Sequence, residues 1–163
     1  MLSEAGISSC KKFRWWLYRC WDPSLPLVIW VMMNPSTADH EKNDATISKV
    51  IRYSKGWGYG GILVLNIYAI RSRDQSKING QVGHRNDWWL STIFKFARRK
   101  KIKIVCAWGV NHKDRGDSVR AVAAVARVKL WCLRSSKNGE PCHPLYLPGN
   151  LVPQRPQSNM VGE

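Results

Sequence analysis

The stretch Pro26-Leu27-Val28-Ile29-Trp30-Val31-Met32-Met33-Asn34-Pro35-Ser36-Thr37-Ala38-Asp39 decides how this chain folds. Its first part is continuously apolar, with β-branched members and no polar position to turn toward water. That pattern suits a strand buried on both faces, as in a parallel sheet. At Asn34-Pro35 it breaks into a polar turn, so a loop leaves the carboxyl end of the strand. Downstream, Asp44 to Trp57 sets Ile47, Val50, Ile51 and Tyr53 at helical spacing, with Asp44 as N-cap and Gly58 as stop. Ile62 to Leu65 is the next buried strand, and Asn66 ends it. Asn86 or Asp87 caps a helix with Trp89, Ile93, Phe96 and Ala97 on its inner face. Ile102 to Trp108 is a third strand, Asp117 to Arg127 an alanine-rich helix, and Val128 to Leu133 a fourth strand. Upstream, Lys11 to Trp21 reads as a strand on the edge. Strands alternating with helices imply an α/β fold of three layers around a central, mostly parallel four-stranded sheet with right-handed crossovers.

The 163 residues are one domain's worth. Residues 1–147 are expected to form it, with 148–163, polar and carrying Pro153 and Pro156, as a flexible C-terminal tail. A hydrophobic content of 44% excludes wholesale disorder. Lys and Arg number 26 against 11 acids, a net charge of +15, which calls for a polyanionic partner. Nucleic acid is the commonest such partner, and a membrane surface is the second reading. The longest apolar run, Leu27 to Met33, is too short to span a bilayer, and Met1 to Lys12 lacks the apolar stretch of a secretory leader. Five cysteines without a C-x-x-C spacing argue against a disulfide framework or zinc ribbon, and for reduced thiols in a cytoplasm; a monomer is expected. No metal and no cofactor are expected.

In an open parallel sheet, ligands bind beyond the carboxyl ends of the strands. The topology brings Asn34, Asn66 and a loop holding His143 to one such crevice. An amide such as Asn66 offers one acceptor and two donors, matched to the edge of a nucleobase. Asn34, on a turn stiffened by Pro35, can orient a water, and Asp39 is the alternative group to activate it. His143, between Pro141 and Pro144, can donate to an oxygen on which negative charge builds. The set suits cleavage of an N-glycosidic bond, in which a base departs as an anion.

Four short motifs carry a family resemblance in order: the strand running into Asn34-Pro35-Ser36, Leu63-Val64-Leu65-Asn66, Ala107-Trp108-Gly109, and the His143-Pro144 loop. Together they resemble the uracil-DNA glycosylase superfamily over roughly Leu27 to Leu147. Asn34 to Asp39, Trp57-Gly58-Tyr59-Gly60-Gly61 and Gly139 through Tyr146 are similar to a family of short bacterial and phage domains of unknown function. The glycosylase resemblance implies that fold and a DNA glycosylase-like protein that flips out and excises a damaged, mismatched or modified base. It departs from the uracil-specific enzymes, whose first loop carries Asp-Pro-Tyr where this chain has Asn34-Pro35-Ser36. The histidine is followed by Pro144-Leu145-Tyr146 rather than Pro-Ser-Pro. The superfamily's iron–sulfur branches use four cysteines at a spacing this chain lacks, so no cluster is expected.

Other residues have competing roles. Asn34 and Asn66 could equally terminate strands and bond their own loops. Tyr68 and Trp108 either stack on an extruded base or pack the core. Ser36, Arg71, Arg73, Arg134, Ser135 and Lys137 lie on strand-end loops and are candidates for a DNA-facing rim. The run from Lys95 to Lys103 reads as a solvated helix face, and His40, His84 and His112 as loop residues. The glycines from Gly56 to Gly61 precede a strand, so they mark a tight turn rather than a phosphate loop. Beside the enzyme stands a second class, a non-catalytic sensor or inhibitor that grips nucleic acid or a nucleotide on the same fold. Base transfer instead of hydrolysis uses the same residues.

Overall fold

In a computed structural model, which describes residues 1–157, the chain forms one mixed six-stranded sheet with three helices. The strands are β1 (Leu2–Ile7), β2 (Arg14–Cys20), β3 (Leu27–Met32), β4 (Gly61–Asn66), β5 (Ile104–Cys106) and β6 (Leu130–Cys132). The helices are α1 (Ala45–Gly56), α2 (Asn86–Lys100) and α3 (Lys113–Ala126). Across the sheet the order is β1-β2-β4-β3-β5-β6. β4, β3, β5 and β6 run parallel, while β1 and β2 add an antiparallel hairpin beyond β4. The sheet is therefore six-stranded, not four, and β2 is covered on its outer side by β1. Leu2 to Ile7 has no apolar run of its own, and it becomes a strand because β2 offers it an unpaired edge.

Two apolar clusters make three layers. Val28, Trp30 and Met32 of β3 pack with Ile47, Val50 and Ile51 of α1 on one face. Ile29, Val31 and Met33 meet Leu90, Ile93 and Phe94 of α2 and Val119 and Ala123 of α3 on the other. The alternation along β3 explains both faces, since successive side chains point to opposite sides. Among the described residues α1 is the one α-helix on its face, so the crossover from β3 diverges from those that follow β4 and β5. That divergence opens a crevice at the strands' carboxyl ends.

Local expectations hold unevenly. Asp44 caps α1, its Oδ1 accepting from the Ile47 N–H at 2.8 Å. Gly58 takes a φ of +85°, and a Cβ on Gly60 would meet the Asp22 carbonyl, so the glycines do form a tight helix-to-strand turn. Neither Asn86 nor Asp87 caps α2. Arg85 holds the cap position without a side-chain bond, while Asn86 Nδ2 donates back to the Asn66 carbonyl at 2.9 Å. The helix buries Leu90 and Phe94 more deeply than Trp89 and Phe96, because its inner face is turned one residue from the expected one. α3 starts a turn earlier than the alanine pattern, at Lys113.

Residues 148–157, expected as a free tail, lie against the body instead. Gln154 exchanges backbone bonds with Cys132 at 2.8 and 2.9 Å, Trp57 Nε1 donates to the Leu151 carbonyl at 2.9 Å, and the Tyr53 hydroxyl donates to the Pro148 carbonyl. The edge of β6 needs partners, and this segment supplies them. The remainder of the expected tail, 158–163, lies outside the described residues. Among the described residues all five cysteines are free thiols, no three His, Cys, Asp or Glu side chains could hold a metal, and no helix is long and apolar enough to cross a membrane.

Candidate functional site

Beyond the carboxyl ends of β3 and β4 lies a small crevice of about 50 Å³. Asn34, Asn66 and His143 line it, with Ser36, a residue expected on the DNA-facing rim, and with Arg14, Asp44, Thr46 and Gln75. Met32, Met33, Ile47 and Val64 form its apolar walls.

Asn66 is fully buried at the end of β4, and neither its amide nitrogen nor its amide oxygen has a hydrogen-bond partner. Leaving a buried polar atom unpaired costs roughly 1–3 kcal/mol. Its backbone is well held: Asn86 Nδ2 binds its carbonyl, and Arg115 Nε donates at 2.7 Å to the carbonyl of Ile67 next to it. A rigid backbone thus presents an amide whose donor and acceptor capacity is unspent.

Asn34 is placed differently. Its Nδ2 donates to the carbonyls of Pro35 and Ser72, both at 2.9 Å, and of Ile70 at 3.4 Å. These bonds lock the amide plane and leave only the oxygen for a ligand or a water.

His143 caps the short 3₁₀ turn Pro144–Tyr146. Its Nδ1 accepts from the Leu145 N–H at 3.3 Å, so the proton of the neutral ring sits on Nε2. Burial lowers its pKa, with Lys49 acting in the same direction and Asp44 opposing. The ring is a neutral donor at pH 7.

Arg14 and Asp44 were not read as site residues. Arg14 is buried, and its Nε is unpartnered although one of its terminal nitrogens donates to the Ala38 carbonyl at 2.6 Å. Desolvation pushes its pKa down to about 10, so it remains a cation at pH 7. Within the sequence it looks like one more basic residue of an edge strand; only the packing of β2 beside β4 brings it here. Asp44 has a legible signal, the helix cap, but not its second position on the crevice wall.

Several expected members lie elsewhere. Asp39 does not line the crevice. Its Oδ1 accepts from the backbone N–H groups of Lys42 and Glu41, which lower its pKa, and the loop it closes is pinned by the buried Arg19. Tyr68 packs edge-on against His112 with ring centres 5.6 Å apart. Trp108 is core on the α2/α3 face and borders a separate cavity of about 670 Å³, where Arg120 lies over its ring. Arg71 and Arg73 belong to the loop that Asn34 binds, and Arg71 also donates to the Lys11 carbonyl at 3.2 Å. Arg134 and Lys137 are exposed on the loop after β6, while the Ser135 hydroxyl accepts from the Gln157 N–H at 3.1 Å.

Chemically, the crevice combines an unspent amide, an acceptor fixed by its own loop, a neutral imidazole N–H, a buried cation and a carboxylate. Residues 14–145 match the model of a protein family described as one of unknown function. No curated protein and no solved structure matches the chain.

Proposed function

The chain belongs to that family, Protein of unknown function (DUF1643), and from the residues that line its crevice we propose that it is a DNA glycosylase-like hydrolase of the uracil-DNA glycosylase kind. The observation that carries the reading is Asn66, a buried amide on a rigid strand end with both polar atoms unpartnered. A flipped base supplies a donor and an acceptor on one edge, which is what such an amide lacks. As the bond from sugar to base breaks, its electron pair leaves with the base. The Nε2–H of His143 donates to the oxygen that gathers the charge, and the Arg14 guanidinium lowers the energy of that anion. Asn34 holds a water by its fixed oxygen. The water adds to the sugar carbon, and its proton passes to Asp44, which takes the part first read for Asp39.

The test is mass-spectrometric detection of free bases after incubation with DNAs carrying uracil, mismatched thymine or modified pyrimidines. A base released by the native protein and not by Asn66→Leu or His143→Ala is the expected result. Absence of release from every substrate removes the reading.

One observation favours a second reading, a sensor or inhibitor that binds without turnover. At about 50 Å³ the crevice is far below the roughly 300–1,000 Å³ usual for small-molecule sites. Under that reading nucleic-acid binding persists, no base is released, and His143→Ala changes nothing.

A further inference from the structure

Of the nine tryptophans, Trp88 stands out at 57% exposed. It opens α2 and meets Trp89 edge-on, with ring centres 4.9 Å apart. Trp89 in turn stacks on Trp15 at 6.3 Å and packs edge-on to Trp16 at 6.1 Å. Trp15 is tied to the turn before α2, its Nε1 donating to the His84 carbonyl at 2.5 Å. The result is a buttressed aromatic shelf whose outermost ring has a face in water, a costly use of a large apolar side chain.

The shelf is joined to the crevice by a continuous set of contacts. Phe13, two residues before Trp15, bridges Ile70, and the carbonyls of Ile70 and Ser72 hold the amide of Asn34. Around this path Lys11, Lys12, Arg73 and Arg85 are exposed. The only acids in segments 8–15, 70–77 and 83–92 are Asp74 and Asp87. Asp74 accepts from Ser76 within its own turn, and Asp87 is paired with Arg115. The charge complements a polyanion, and acidic proteins offer no base faces for the ring.

We infer that this shelf binds single-stranded nucleic acid, with a base stacked on Trp88 and phosphates on Lys11, Lys12, Arg73 and Arg85, and that the strand so held leads into the crevice. The last clause rests on the proposed glycosylase reading; the binding does not. In a duplex the base faces are covered by their neighbours, so only an unpaired strand can use the ring, whereas phosphates alone would serve either form. On the glycosylase reading, the substrate class is then unpaired DNA rather than intact duplex.

Fluorescence anisotropy with a short labelled oligonucleotide tests this, in single-stranded DNA, single-stranded RNA, duplex and abasic forms. The single strand should bind about tenfold more tightly than its duplex, Trp88→Ala should lose about that factor, and Trp88→Phe should keep most of it. The abasic strand should bind the native protein as weakly as Trp88→Ala binds the ordinary one. Arg99→Ala, at the opposite end of α2 from Trp88, should leave these affinities within about twofold. Duplex binding as tight as single-strand binding, or an unchanged affinity in Trp88→Ala, overturns the inference. So does a Trp88→Ala protein whose sedimentation changes while its oligonucleotide affinity does not, because the shelf is then a protein interface. Binding lost with Trp88 but no base released under any condition leaves the shelf standing and removes the glycosylase. Base release that ignores Trp88 does the reverse.

Discussion

Asn66 and His143 make opposite demands on the fold. A buried amide without partners is a local loss of stability kept for a ligand, so filling the site with an apolar side chain of similar size should reverse that loss. Asn66→Leu is expected to raise stability by about 1–2 kcal/mol, read from urea unfolding, while abolishing base release. A destabilised variant would mean that the amide has a structural partner after all. For His143, burial depresses the pKa below its ordinary value of 6.5. Above that value the ring is neutral in both folded and unfolded chains and contributes no pH dependence. Below it the unfolded chain takes up the proton first, so stability falls with pH until the folded ring also protonates. His112 is shifted the same way by burial. Melting temperature should therefore drop from pH 7 toward pH 5, less steeply in His143→Gln; equal slopes would exclude the ring from the effect.

The segment 148–157 is an element the chain conceals. Nothing in its proline-rich, polar sequence announces order, yet it closes the free edge of β6 and caps the aromatic side chains of α1. Deleting residues 148–163 removes at least four hydrogen bonds seen here, those of Gln154 with Cys132 and of Tyr53 and Trp57 with the segment. At about 1 kcal/mol each, the loss should be roughly 3–4 kcal/mol in urea unfolding. A truncated protein as stable as the full chain would restore the free tail. Other elements were far easier to read. β3, α1 and β4 follow from an unbroken apolar run, an aspartate cap and a glycine turn, each a short-range signal. β1 had none, because its order comes from a partner strand rather than from its own side chains.

Over the whole molecule, charge is unevenly useful. α2 starts beside the carboxyl end of β4, where Asn86 binds the Asn66 carbonyl, and only three residues separate its end from the start of β5. Arg98, Arg99, Lys100 and Lys101 therefore sit at the far end of the molecule from the crevice. Lys11, Lys12 and Arg73 lie beside it. Replacing those three with alanine should reduce the slope of log affinity against log salt by roughly 2–3, at 0.7–0.9 per lost phosphate contact. Replacing the four at the end of α2 should leave it nearly unchanged. Equal effects from the two sets would show that binding follows net charge alone.

Local rules were enough for the α/β alternation, the helix cap at Asp44, the glycine turn and the placing of Asn34 and Asn66 at strand ends, because each depends on neighbours within a few residues. Tertiary packing decided the rest: that Arg14 and Asp44 join the crevice while Asp39 turns away, that Trp108 is core while Trp88 is bare, and that the last described residues complete a sheet edge. Those outcomes depend on which groups from distant segments meet, and on whether a polar atom finds a partner once water has gone.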